Sequence, residues 1–72
     1  MTRLPVLSGI EFIRIMEKIG YTWIHTRGSH VILVHETRLR LSVPRHRELD
    51  RGLLTRLIRD SGLGLAEFGE LL

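Results

Sequence analysis

Apolar residues change their spacing twice along this chain, and that switch of period limits the folds open to it more than any other feature. Before Gly20, the residues Ile10, Ile13 and Met16, joined by Phe12 and Ile19, recur at helical steps, with Glu17 and Lys18 on the other side. This is the stripe of an amphipathic helix. After Gly20 the chain turns aromatic and β-branched, and after Asp50 a helical stripe returns at Leu53, Leu54, Leu57 and Ile58. Helices and strands must therefore share one core within 72 residues, enough for a single domain.

The boundaries between elements carry their own signals. Ser8-Gly9-Ile10-Glu11 has the S-x-x-E spacing of a capping box, and Gly20 stands where a helix-ending glycine belongs. The first helix is predicted over about 9–19. Tyr21 to Arg27 has strand composition, with Trp23 expected in the core. Gly28-Ser29 signals a turn, and His30-Val31-Ile32-Leu33-Val34 a second strand. From Arg38 to Val43 the pattern alternates, with Leu39, Leu41 and Val43 on one face and Arg38, Arg40 and Ser42 on the other. That predicts an antiparallel strand with one wet face, ended by Pro44, which cannot donate to a ladder. Residues 44–50 form a charged loop, Asp50 is the expected N-cap of the second helix, and Gly62 stops it. Leu65 to Leu72 reads as a short last helix around Phe68. The expected order is α-β-β-β-α-α: an α+β domain over residues 1–72, with a three-stranded antiparallel sheet and helices packed on one face.

Charge and cysteine content narrow the function. Eleven Lys and Arg against eight Asp and Glu leave a net charge of +3, and Lys18 is the one lysine among them. Arginine's planar fork matches phosphate oxygens, so either a polyanion partner or a solvated basic face follows. Cysteine is absent, which removes disulfides and thiolate metal sites and fits a reducing cytosol. Met1 to Leu7 is too short, and too broken by Pro5, for a signal peptide. No apolar run approaches the ~20 residues of a membrane span, so a soluble, cytoplasmic protein is expected. The four histidines form no metal set: His30 and His35, five apart, face opposite ways on a strand, and His25 with His30 supplies two ligands only. His25 and His35 are expected as surface strand residues. No metal or other cofactor is called for.

Several short motifs, in order, carry a resemblance. They are Ser8-Gly9, Glu17-Lys18-Ile19-Gly20-Tyr21, Gly28-Ser29-His30, the block Val43-Pro44-Arg45-His46-Arg47-Glu48-Leu49, Gly52, Leu57-Ile58-Arg59 and Gly62-Leu63, before a last helix similar to E-E-F-x-x-L-L. Together they resemble HicA-type (YcfA-like) toxins of type II toxin–antitoxin systems, over nearly the full length. Where that family often has R-Q-K before G-S-H, this chain has His25-Thr26-Arg27, and where it often has G-T-L, Gly52-Leu53-Leu54. The resemblance implies a dsRBD-like fold, ribonuclease activity toward mRNA and inhibition by a HicB-type antitoxin protein that covers the active site. It also implies a catalytic role for His30.

Such chemistry suits the residues around that motif. Without metal, the 2′-OH of RNA is the nucleophile, and an imidazole with a pKa near 6.5 serves as base or acid at working pH. Gly28 lets the RNA backbone approach, and Arg27, Ser29, Arg45 and His46 are the candidates to bind or polarise phosphate. His46, in its charged loop, reads equally as a solvated or antitoxin-contacting residue. The free chain is expected to be a monomer and to form a hetero-oligomer with the antitoxin. Two alternatives stay open: a dsRBD-like RNA-binding module that cuts nothing, and an inactive toxin remnant kept as a protein-interaction partner.

Overall fold

The structure, a computed structural model, describes residues 3–72, so the first two residues of the expected domain lie outside the described residues. Helix α1 (Gly9–Lys18) starts where the capping box predicts. Ser8 Oγ accepts from the Glu11 N–H at 3.0 Å, and the Glu11 carboxylate accepts from the Ser8 N–H at 2.8 Å. Gly20, at φ 102°, turns the chain out of the helix. The buried side of α1 is Gly9, Phe12, Ile13, Ile15 and Met16, whereas Ile10, expected inside, is exposed. The reason is geometric: positions 9, 12, 13 and 16 share one helical face, and the backbone of Gly9 packs against the chain at Pro44 and Arg45. With Gly9 turned inward, Ile10 must point away.

Three strands follow: β1 (Thr22–Arg27), β2 (His30–Val34) and β3 (Leu41–Pro44), in the order β1-β2-β3 and antiparallel throughout. On the helix side Val31 and Leu33 of β2 stand beside Val43 and Leu41 of β3, all buried. β3 is shorter than its alternation suggests. Arg38 to Arg40 lie outside it, and Leu39 is exposed. Their polar groups are spent elsewhere: Arg38 Nη1 donates to the Ser61 carbonyl at 2.7 Å, and the Tyr21 hydroxyl donates to the Leu39 carbonyl at 2.8 Å. Pro44 closes an edge strand, where its missing N–H costs no ladder bond.

Helix α2 (Arg51–Asp60) is capped by Asp50, whose carboxylate accepts from the Gly52 and Leu53 N–H groups at 3.0 and 3.3 Å. Leu54, Leu57 and Ile58 are its buried stripe, and Gly62 ends the run at φ 88°. Helix α3 (Leu65–Glu70) stops two residues short of the expected end. Its Phe68, fully buried, stacks on Phe12 of α1 with ring centroids 5.8 Å apart. All three helices thus send side chains into one core with the inner face of the sheet, and the other face stays open.

His35 departs from its expected surface role. It sits just past β2, half-buried, with Nε2 2.8 Å from the Ile19 carbonyl and Nδ1 accepting from the Thr37 N–H at 3.1 Å. Its ring packs edge-on against Tyr21, at 5.0 Å. The ring therefore ties the segment after β2 to the end of α1.

Candidate functional site

The turn between β1 and β2 consists of Gly28 and Ser29 alone. Gly28 has φ 58°, and among the described non-glycine residues no φ is positive. A positive angle followed by a negative one is the pattern of a type II′ turn, whose twist matches that of the flanking strands and whose first position favours glycine. The tight turn fixes the next residue, His30, as the first of the central strand. Arg27 stands across from it on β1 and Pro44 across from it on β3. Beyond Pro44 the pairing runs one step further, since the Arg45 N–H donates to the Ser29 carbonyl at 2.7 Å.

Local backbone pairing therefore gathers five of the six sequence-predicted site residues at one end of the sheet: Arg27, Gly28, Ser29, His30 and Arg45. The sixth, His46, is held one residue further on, where its carbonyl accepts from the Gly9 N–H at 2.9 Å. The N-terminal arm braces this loop a second time, through the Leu49 N–H and the Leu7 carbonyl at 2.7 Å. All six residues are exposed. Ser29 Oγ lies 3.5 Å from His30 Nδ1. Among the described residues, no side-chain hydrogen bond or ion pair occupies the guanidinium groups of Arg27 and Arg45 or the imidazole of His46. The one ion pair among the described residues joins Arg14 to Glu17 on α1. The site is thus an open cationic surface around an accessible imidazole.

One irregularity in β1 shapes this surface. Trp23 pairs with Leu33 but His25 pairs with Ile32, so Ile24 is an extra residue, a β-bulge. Trp23 is half-buried on the core side, as expected. Strict alternation from Trp23 would turn His25 and Arg27 toward the core as well. The bulge resets the phase, so that Thr26 shares the inner face with Val31 while His25 and Arg27 share the open face with His30 and Ile32. The Trp23 Nε1–H donates to Thr26 Oγ1 at 2.8 Å, closing a clasp beneath the bulge. Composition gives no sign of a bulge at Ile24, and pattern reading places His25 only as a surface residue.

The comparison with family models returns a match over residues 9–63, described as the HicA toxin of bacterial toxin–antitoxin systems. The chain belongs to the HicA toxin family. No curated protein and no solved structure matches it. The matched span of this HicA-family chain runs from the first residue of α1 to just past α2, and includes every candidate site residue. Helix α3 lies beyond the match, yet its Phe68 completes the core. Among the described residues, no group of three or more His, Cys, Asp or Glu side chains is placed to hold a metal ion. No helix among the described residues is long and apolar enough to cross a membrane.

Proposed function

We propose that this HicA-family chain is a cytoplasmic endoribonuclease that cuts mRNA without a metal, with His30 as its essential proton-transfer residue. One observation carries the reading. The exposed imidazole of His30 is fixed at the start of a central strand, across from Arg27 on β1 and Pro44 on β3, with Arg45 bonded one step further on to Ser29, and among the described residues the guanidinium groups of Arg27 and Arg45 have no partner. The arginines grip and polarise a phosphate, the positive φ of Gly28 leaves the turn free of side-chain bulk, and Ser29 and His46 add polar contacts at the rim. Charge building on the phosphoryl oxygens is then stabilised by fixed cations, and the imidazole moves the proton. Residues 1–72 act as one domain, monomeric when free. A HicB-type antitoxin silences it by covering the His30 surface in a hetero-oligomer.

The deciding experiment is cleavage of an end-labelled RNA in excess EDTA by the native chain and by His30→Ala. The native chain cuts, and the variant loses at least ~100-fold in rate, the lower end of what one proton-transfer group contributes. Cleavage retained by a folded His30→Ala protein refutes the assignment. RNA affinity should fall steeply with salt, because arginine–phosphate contacts release counterions.

A further inference from the structure

We propose that His25 is a second proton-transfer group of this site, working with His30 across one bound phosphate; the proposal rests on the ribonuclease reading above. Cleavage of RNA by its own 2′-OH needs two proton movements at once. A base takes the proton from O2′ as O2′ bonds to phosphorus. An acid delivers a proton to O5′ as the P–O5′ bond breaks, leaving a 2′,3′-cyclic phosphate and a free 5′-OH. In an in-line displacement the two oxygens lie on opposite sides of phosphorus, so one imidazole cannot serve both at once.

The open face supplies two. His25 and Arg27 lie on β1, and His30 lies opposite Arg27 on β2. His25 and His30 are therefore diagonal neighbours on one face, about 7–8 Å apart at Cα. Side chains so spaced on one open face can turn their rings to flank a phosphoryl group, each within hydrogen-bond reach of about 2.6–3.2 Å, and Arg27 lies opposite His30 on the same face. This placement depends on the bulge at Ile24, which alone brings His25 onto the face of His30, and bulges commonly re-aim side chains beside active sites. The clasp from Trp23 to Thr26 holds the bulge in place. His25, Arg27 and His30 are all exposed, so both rings can exchange protons with substrate and water. Among the described residues they are the titratable groups of the open strand face, on which the register also places Thr22, Ile32, Val34, Ser42 and Pro44. Arg45 and His46 border it from the loop after β3. No carboxylate is present there to take the second role.

Two measurements on the full chain test the pairing. The first is the pH dependence of cleavage of a single-site RNA oligonucleotide by the native chain and by His25→Gln. The native chain gives a bell-shaped profile; the variant melts at the native temperature, loses about 100-fold in kcat with little change in KM, and loses one limb of the bell. An unchanged profile, or a loss confined to KM, overturns the proposal. The second follows the histidine Hε1 resonances by NMR as inorganic phosphate is added. The His25 and His30 signals move with one shared dissociation constant while that of His35 stays put; independent or absent movement of His25 overturns the pairing. If the native chain cuts no RNA, the ribonuclease reading falls, and the phosphate titration still decides whether the two rings form one site.

Discussion

Replacing Gly9 by alanine should destabilise the chain, although simple helix propensity says the opposite. Alanine in place of glycine within a helix is worth up to about 1 kcal/mol in favour of folding. A Cβ on Gly9, however, would lie 3.0 Å from the Pro44 carbonyl carbon, 3.1 Å from Arg45 Cα, and closer still to the Pro44 oxygen. Every one of these is backbone, so no flexible side chain can swing away. The start of α1 and the loop must separate, at an overpacking cost of about 1–3 kcal/mol. Separation also strains the bond from the Gly9 N–H to the His46 carbonyl at 2.9 Å, worth about 1 kcal/mol. The sum is a net loss of about 2 kcal/mol, which for a domain of this size lowers Tm by about 8–16 °C. Thermal unfolding followed by circular dichroism reads this directly. Because Arg45 is bonded to Ser29, amide resonances of the Gly28–Ser29 turn should shift as well. A Tm equal to or above that of the native chain would refute the packing account.

Three further outcomes follow from the same structure. Gly28→Ala meets no atom within 4 Å, so its cost is the left-handed backbone alone, about 1–2 kcal/mol; Gly28→Asn should recover part of the lost Tm, and equal losses in both would contradict this. Phe68→Ala should cost about 3–5 kcal/mol and leave the chain largely unfolded at 37 °C by circular dichroism, despite lying outside the family match; a native-like melt would show α3 to be dispensable. Burial raises the Tyr21 phenol above its usual pKa of 10.0, with the charge of Arg38 opposing and that of Asp60 adding. A pKa raised in the folded state contributes stability below the unfolded value that is lost as pH climbs through the folded one. Urea midpoints should therefore fall above pH 10 in the native chain, more steeply than in Tyr21→Phe.

Where neighbours along the chain decide the structure, the sequence is legible. Both bonds of the Ser8–Glu11 box, the Asp50 cap, the two-residue turn at Gly28 and the glycines that end α1 and α2 all involve partners a few positions apart. Distant partners are invisible to pattern reading. Arg38 and Leu39 alternate like a strand but are claimed by Ser61 and Tyr21. Ile10 fits the helical stripe, yet the close approach of Gly9 to Pro44 turns it outward. His35 looks like a surface strand residue until Ile19 and Thr37 are seen to hold it. At the candidate site the turn and His30 are local and legible, and the loop bearing Arg45 and His46 is legible as a loop. The phase of His25 and Arg27 is not, because one additional backbone residue reverses every side chain after it without leaving a mark in composition.

The stacking of Phe68 on Phe12 has a consequence for the order in which the molecule matures during synthesis. The hairpin that presents His30 closes over two residues and can form soon after it leaves the ribosome. The core behind it waits for Phe68 of α3, far downstream of Phe12, to reach back to the first helix. Until α3 has been made and released, α1 lacks the aromatic cover that Phe68 gives Phe12. A nascent chain would therefore present the His30 hairpin before α1 has its aromatic cover, so that the core behind the open cationic face is completed only after α3 has emerged.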